Sequence, residues 1–126
     1  MRKEIVAIAL LAALFAGSLL NIKIIRRITS SLYDNVLSAM NCADQEDWNS
    51  AGEYTERAVW QWDKSKRYLM VFIRHTEIDT VSSSLNDFRT EIINRDPDRT
   101  IGMGEKALEQ IKSIEETESV SFGSLF

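Results

Sequence analysis

The sequence predicts an all-α protein: an N-terminal transmembrane helix that continues into a small antiparallel helical bundle of two helical hairpins. Three observations predict it. Residues 5–20 carry no charged side chain. Beyond them, apolar residues recur at steps of three and four, the beat of one helix face. One proline and five glycines leave too little punctuation for a turn-rich β fold. A chain of 126 residues has room for one small core. The expected division is a membrane anchor over residues 1–27, a helical bundle over 28–118 and a C-terminal tail over 119–126.

The first helix is the anchor. Residues 5–20 alone would reach about 24 Å at 1.5 Å per residue, short of the roughly 30 Å hydrocarbon core. Extension to residue 25 reaches about 31 Å. Lys23 then lies near the far interface, where its stem stays apolar and its ammonium meets headgroups. The expected span is residues 4–25. A cleaved signal peptide is one alternative: Arg2 and Lys3, an apolar centre, then Ala16-Gly17-Ser18 before a cut. Against it, the apolar pattern runs on through Leu19, Leu20, Ile22, Ile24, Ile25 and Ile28. A core helix of a soluble protein is the other, and it needs a larger core than this chain supplies. Arg2 and Lys3 flank one side, and Lys23, Arg26 and Arg27 the other, so the positive-inside rule is nearly balanced. Short N-terminal anchors commonly export the domain attached to them. The expectation is a single-pass cell-membrane protein with most of its chain extracytoplasmic.

Ile25, Ile28, Leu32, Val36 and Met40 keep the helical step, so the anchor continues as one helix to about Asn41, with a break at Asn41-Cys42-Ala43-Asp44. Asp47 is suited to cap the second helix, residues 48–73. The inner stripe of that helix is Trp48, Ala51, Thr55, Ala58 or Val59, Trp62, Ser65, Leu69 and Phe72 or Ile73. Glu53 with Arg57 and Asp63 with Arg67 are i,i+4 pairs on its solvated side. Thr76 with Asp79 resembles a capping box and opens a third helix on Ile78, Val81, Leu85, Phe88 and Ile92. Asp96-Pro97 caps a fourth, with Ile101, Leu108, Ile111 and Ile114 facing inward. Gly102 and Gly104 weaken its start or permit close helix packing. The end, SVSFGSLF, is too short and too rich in Ser and Gly for another helix, yet Phe122 and Phe126 are apolar and suited to dock. A faint duplication aligns residues 47–62 with 96–111, each the cap and second helix of an antiparallel pair. It is somewhat like tetratricopeptide units without their signature.

The net charge is −4, but the first 27 residues are basic, so the body is distinctly acidic. An acidic body without a basic stripe excludes nucleic acid as the expected partner. The lone Cys42 excludes an internal disulfide. No Gly-rich phosphate loop, Ser-His-Asp set or CxxC pair is present, so no enzymatic activity and no cofactor are expected.

The stretch YLMVFIRHTEID, residues 68–79, concentrates the candidate functional residues. Six apolar residues on a helix cover every face, so this end is either surrounded by other helices or presents one side to something outside the chain. Trp60 lies about 200° round the helix from Trp62, and both cannot face one core. An exposed apolar patch around Trp60, Val71 and their neighbours is therefore expected, for a protein partner or the membrane interface. His75 is the only histidine and is followed by Glu77 and Asp79. One reading places it at a helix C-terminus, bonding free carbonyls or a carboxylate. The other makes it the centre of a metal- or ligand-binding sensor, although a single histidine supplies few ligands.

Several of these residues carry a family resemblance. The initial apolar helix, Glu46-Asp47-Trp48, Trp62 with the lysines after it, the run Phe72-Ile73-Arg74-His75-Thr76-Glu77-Ile78-Asp79, the Ser84-Leu85 helix and the closing tail together resemble the DUF4363 family. This is a family of short, N-terminally anchored bacterial proteins of unknown function. The resemblance spans nearly the whole chain, and its FIxHxEID piece is the most specific part. It implies an anchored helical protein, typical of spore-forming, low-GC Gram-positive bacteria, with a polytopic YetF-like membrane protein as the natural partner. It implies no activity. Trp60, Gly102 and Gly104 depart from the family's usual Lys/Glu-rich helices.

The resulting expectation is a non-enzymatic accessory subunit of a larger membrane protein. Its partner-binding residues are Trp60, Val71, His75, Glu77, Asp79, Phe122 and Phe126. The alternative is an extracytoplasmic sensor or metal-binding module centred on His75. Homo-oligomerisation stays open.

Overall fold

A computed structural model of the chain describes residues 1–125, with side chains described through residue 116. The element order is α1 (Arg2–Asp44), α2 (Trp48–Phe72), α3 (His75–Asn94) and α4 (Pro97–Leu125). Each helix packs on two neighbours in a ring: α1 on α2, α2 on α3, α3 on α4, and α4 back on α1. Connections of two or three residues force neighbours to run antiparallel. The two expected hairpins, α1–α2 and α3–α4, thus close on one another as a four-helix bundle.

The periodic residues build the core. Ile25, Leu32, Val36 and Met40 of α1, Ala51, Ala58, Trp62 and Leu69 of α2, Ile78, Val81, Leu85, Phe88 and Ile92 of α3, and Leu108, Ile111 and Ile114 of α4 are all buried. A fully buried side chain of this size contributes about 1.5–3 kcal/mol relative to exposure. Asp47 caps α2 by accepting the Ser50 backbone N–H at 3.3 Å. Asp96 does the same for Arg99 at the start of α4, at 3.2 Å.

The duplication is deeper than the sequence suggested. The hairpin turns have the same construction. Asp47 N–H donates to the Cys42 carbonyl and Glu46 N–H to the Ala43 carbonyl. Asp96 N–H donates to the Glu91 carbonyl and Arg95 N–H to the Ile92 carbonyl. Both are Schellman closures. Each has a left-handed residue that is not glycine, Glu46 at φ 59° and Arg95 at φ 54°. With Asp47 set on Asp96, the buried Leu32, Val36, Ala39 and Ala43 of α1 match the buried Val81, Leu85, Phe88 and Ile92 of α3. The helix-bridging hydrogen bonds match too. Asn35 Nδ2 donates to Gln61 Oε1 at 3.1 Å in the first hairpin, and Ser84 Oγ donates to Gln110 Oε1 in the second. The bundle is pseudo-symmetric.

Three boundaries differ from expectation. Residues 41–44 do not break α1; the helix continues to Asp44 because Ala43 falls in phase with Val36, Ala39 and Met40 and is fully buried. The chain turns at Gln45-Glu46-Asp47 instead. Thr76 does not cap α3. Ile73 and Ile78 are both buried, and pinning them leaves only Ile73-Arg74 to turn, so helix starts at His75. The C-terminal stretch is not irregular: α4 carries it as helix through Leu125. Extending an existing helix costs far less than nucleating one, so weak helix formers are tolerated there.

α1 is longer than the bundle. Residues 1–17 are exposed, and the first buried residues are Asn21 and Ile25. α1 is long and apolar enough to cross a membrane, and almost none of its most apolar stretch is covered by the rest of the chain. Close packing at the other end explains one glycine. A Cβ on Gly104 would lie 2.5 Å from Met40 Sδ, whereas Gly102 faces open space.

Candidate interaction surface

Trp60 and Trp62 separate as their angular spacing requires. Trp62 is buried, and its indole Nε1 donates to Ser82 Oγ at 2.7 Å. Trp60 is 62% exposed, with the Lys64 ammonium 4.0 Å from the ring centroid, a cation–π contact. Beside it, α2 and α3 form an open groove lined by Gly52, Thr55, Trp60, Ile92 and Ile93, with Arg89 and Glu56 at the rim. Arg89 Nε lies 2.7 Å from Glu56 Oε1. Both side chains are largely solvated, so this pair orders the rim more than it stabilises the fold. The i,i+4 pairs expected on α2 do not form. Arg57 sits 5.3 Å over the Tyr54 ring, and Asp63 pairs with Lys66 at 3.4 Å.

Pseudo-symmetry supplies an internal control for this surface. The position equivalent to Trp60 is Glu109, and the one equivalent to Ile93 is Asp44. Two faces with the same backbone thus differ in chemistry. One is charged; the other exposes a tryptophan and an isoleucine that is 69% exposed. Ile93 was missed in the sequence. The signal was there: adjacent Ile92 and Ile93 cannot both face one core.

Val71 is 73% exposed on the same face of α2 as Trp60, but eleven residues on, about 16 Å along the axis. It belongs to a second apolar patch with the exposed Met70 and Phe72. The Tyr68 and Phe72 rings are 5.2 Å apart. The Tyr68 hydroxyl donates to the buried Asn21 Oδ1. Tyr68 and Phe72 line a groove with Leu14, Gly17, Ser18 and Ile24 of α1. This patch therefore adjoins the exposed apolar part of α1, while the Trp60 groove lies in the remote half of the bundle.

His75, Glu77 and Asp79 occupy the first turns of α3. His75 stands at a helix N-terminus, not the C-terminus expected, because α2 ends three residues earlier. There it meets free N–H groups, and a cation gains nothing from the helix dipole. His75 and Asp79 are exposed and Glu77 is half-buried. Among the described residues, no three His, Cys, Asp or Glu side chains are gathered so as to hold a metal ion. Phe122 and Phe126 lie outside the described side chains, so the docking expected of them has no structural counterpart here.

No curated protein and no solved structure matches the chain. One family model does, over residues 19–125, from just inside the apolar run to the end of α4. It is the family anticipated from the FIRHTEID stretch, and its match covers most of the chain: the protein belongs to the DUF4363 family, a domain of unknown function.

Proposed function

We propose that this chain is a single-pass membrane protein whose helical body serves as a non-enzymatic accessory subunit of a larger integral membrane protein. One observation carries the reading: of two pseudo-equivalent faces, only one exposes Trp60 and Ile93 over an apolar groove. Exposed tryptophan flanked by arginine is the composition of interface hot spots. A monomer gains nothing from presenting these residues to water. α1 restricts the body to encounters at the membrane surface, so the partner is itself a membrane protein. The family resemblance points to a polytopic, YetF-like one. The cell membrane, with the body on its outer side, is the proposed location.

The test is purification of the full chain from native membranes in mild detergent, beside Trp60→Ala and His75→Ala. The wild type and His75→Ala are expected to retain one integral membrane protein that Trp60→Ala loses. Recovery of the chain alone in every case contradicts the proposal. The sensor reading centred on His75 gains no support, since its carboxylates do not converge on the imidazole.

A further inference from the structure

We infer that the α2–α3 end of the bundle is seated in the lipid interface, with Met70, Val71 and Phe72 immersed and Phe72 beside α1. This rests on the reading of α1 as a membrane span and adds the depth at which the body sits. The argument is geometric. Phe72 and Tyr68 share a groove with Leu14, Gly17 and Ser18, so Phe72 stands level with the middle of the apolar run, not beyond its end. Below Gly17, residues 2–16 supply about 22 Å of helix. The hydrocarbon layer needs about 30 Å. A span that ended where the bundle begins would leave a gap of about 8 Å, the difference between those lengths. Closing it draws the bundle end into the bilayer.

The chemistry of that end fits. Val71 is 73% exposed and Phe72 47%, although neither meets the core, and Phe72 adjoins α1. Lys23, Arg67 and Arg74 are exposed at this end of the bundle. An apolar tip inside a cationic rim is the pattern of interfacial anchoring to anionic lipid. Tyr68 adds an amphipathic ring whose hydroxyl is satisfied by Asn21, so neither polar group enters the apolar layer unpaired. The acids of this end, Glu77 and Asp79, stand in the first turns of α3, across the ring from α1, and Glu115 of α4 is paired with Arg26 at 3.4 Å.

Nitroxide accessibility in the full-length chain tests this. Single labels replace Leu11, Val71 and Ile93 on a Cys42→Ala background, in vesicles of phosphatidylcholine and phosphatidylglycerol. Oxygen partitions into lipid and a nickel chelate stays in water. The oxygen-to-nickel accessibility ratio at Val71 is expected to resemble that at Leu11 and to exceed that at Ile93 several-fold. A Val71 label as open to nickel as Ile93, with Leu11 still lipid-exposed, overturns the seating and leaves the span intact. Nickel access at Leu11 overturns both. Shielding of Val71 from both reagents, with spin–spin broadening, means a second copy covers the patch and also overturns it. If Cys42→Ala loses helicity, Val71→Trp in vesicles with brominated acyl chains replaces the label. Quenching of the added emission is expected, and undiminished emission refutes the seating.

Discussion

Gly102 and Gly104 are two residues apart on one helix, yet the same substitution at each should act in opposite directions. Replacing a helical glycine by alanine gains roughly 0.8–1 kcal/mol in propensity. At Gly102 nothing lies within 4 Å of the new methyl, so Gly102→Ala should be stabilising by about that amount. At Gly104 the methyl would stand 2.5 Å from Met40 Sδ and 2.6 Å from Met40 Cγ. Overpacking of this kind costs about 1–3 kcal/mol. The obstacle is a flexible thioether, not backbone, so the cost belongs near the low end of that range. Gly104→Ala should therefore be neutral or destabilising by about 1 kcal/mol, while Gly102→Ala is stabilising. For a body of this size, 1 kcal/mol moves Tm by about 4–8 °C. Thermal unfolding of the full chain in mild detergent, followed by circular dichroism, resolves that difference. Met40→Ala should be less harmful in the Gly104→Ala background than alone, because the two side chains compete for one space. Equal stabilisation by both glycine substitutions would refute the close approach of α4 to α1.

The pseudo-symmetry makes further predictions. Asp47→Ala and Asp96→Ala should each cost about 1 kcal/mol, since each removes the cap of an equivalent helix; unequal losses by more than a factor of two in urea titration would break the equivalence. Glu46→Gly and Arg95→Gly should each raise stability by up to about 1 kcal/mol, because left-handed backbone costs a side-chain-bearing residue about 1–2 kcal/mol and glycine returns part of that gain as chain entropy. Thermal scans check this, and a lower Tm for either would argue against the Schellman closures. Trp60→Ala should leave Tm within about 2–4 °C of wild type, whereas Trp62→Ala should cost about 3–5 kcal/mol; comparable losses would place both indoles in the core.

The amphipathic helices were legible in the sequence because each runs long enough for its period to be read. The caps were legible because Asp47 and Asp96 precede their helices in a pattern with a local physical cause. Trp60 was legible as an exposed residue from its angle to Trp62 alone. Boundaries set by tertiary packing were not. Asn41-Cys42-Ala43-Asp44 has the composition of a break, and only the burial of Ala43 against other helices keeps it helical. His75 changes helix ends for a similar reason, since Ile73 and Ile78 are both held by the core. The approach of Gly104 to Met40, and the paired bridges Asn35–Gln61 and Ser84–Gln110, join residues far apart in the chain. No local pattern announces them. The exposed surface of α1 falls between these cases: its composition was plain, but the point where the bundle takes hold, Asn21 against Tyr68, was not.

Alkaline carbonate extraction of native membranes, followed by the intact mass of the chain, tests the membrane anchor most directly. The account predicts a full-length chain that stays in the membrane pellet. A chain released to the supernatant, or one shortened by about the eighteen residues a signal cut removes, would contradict it.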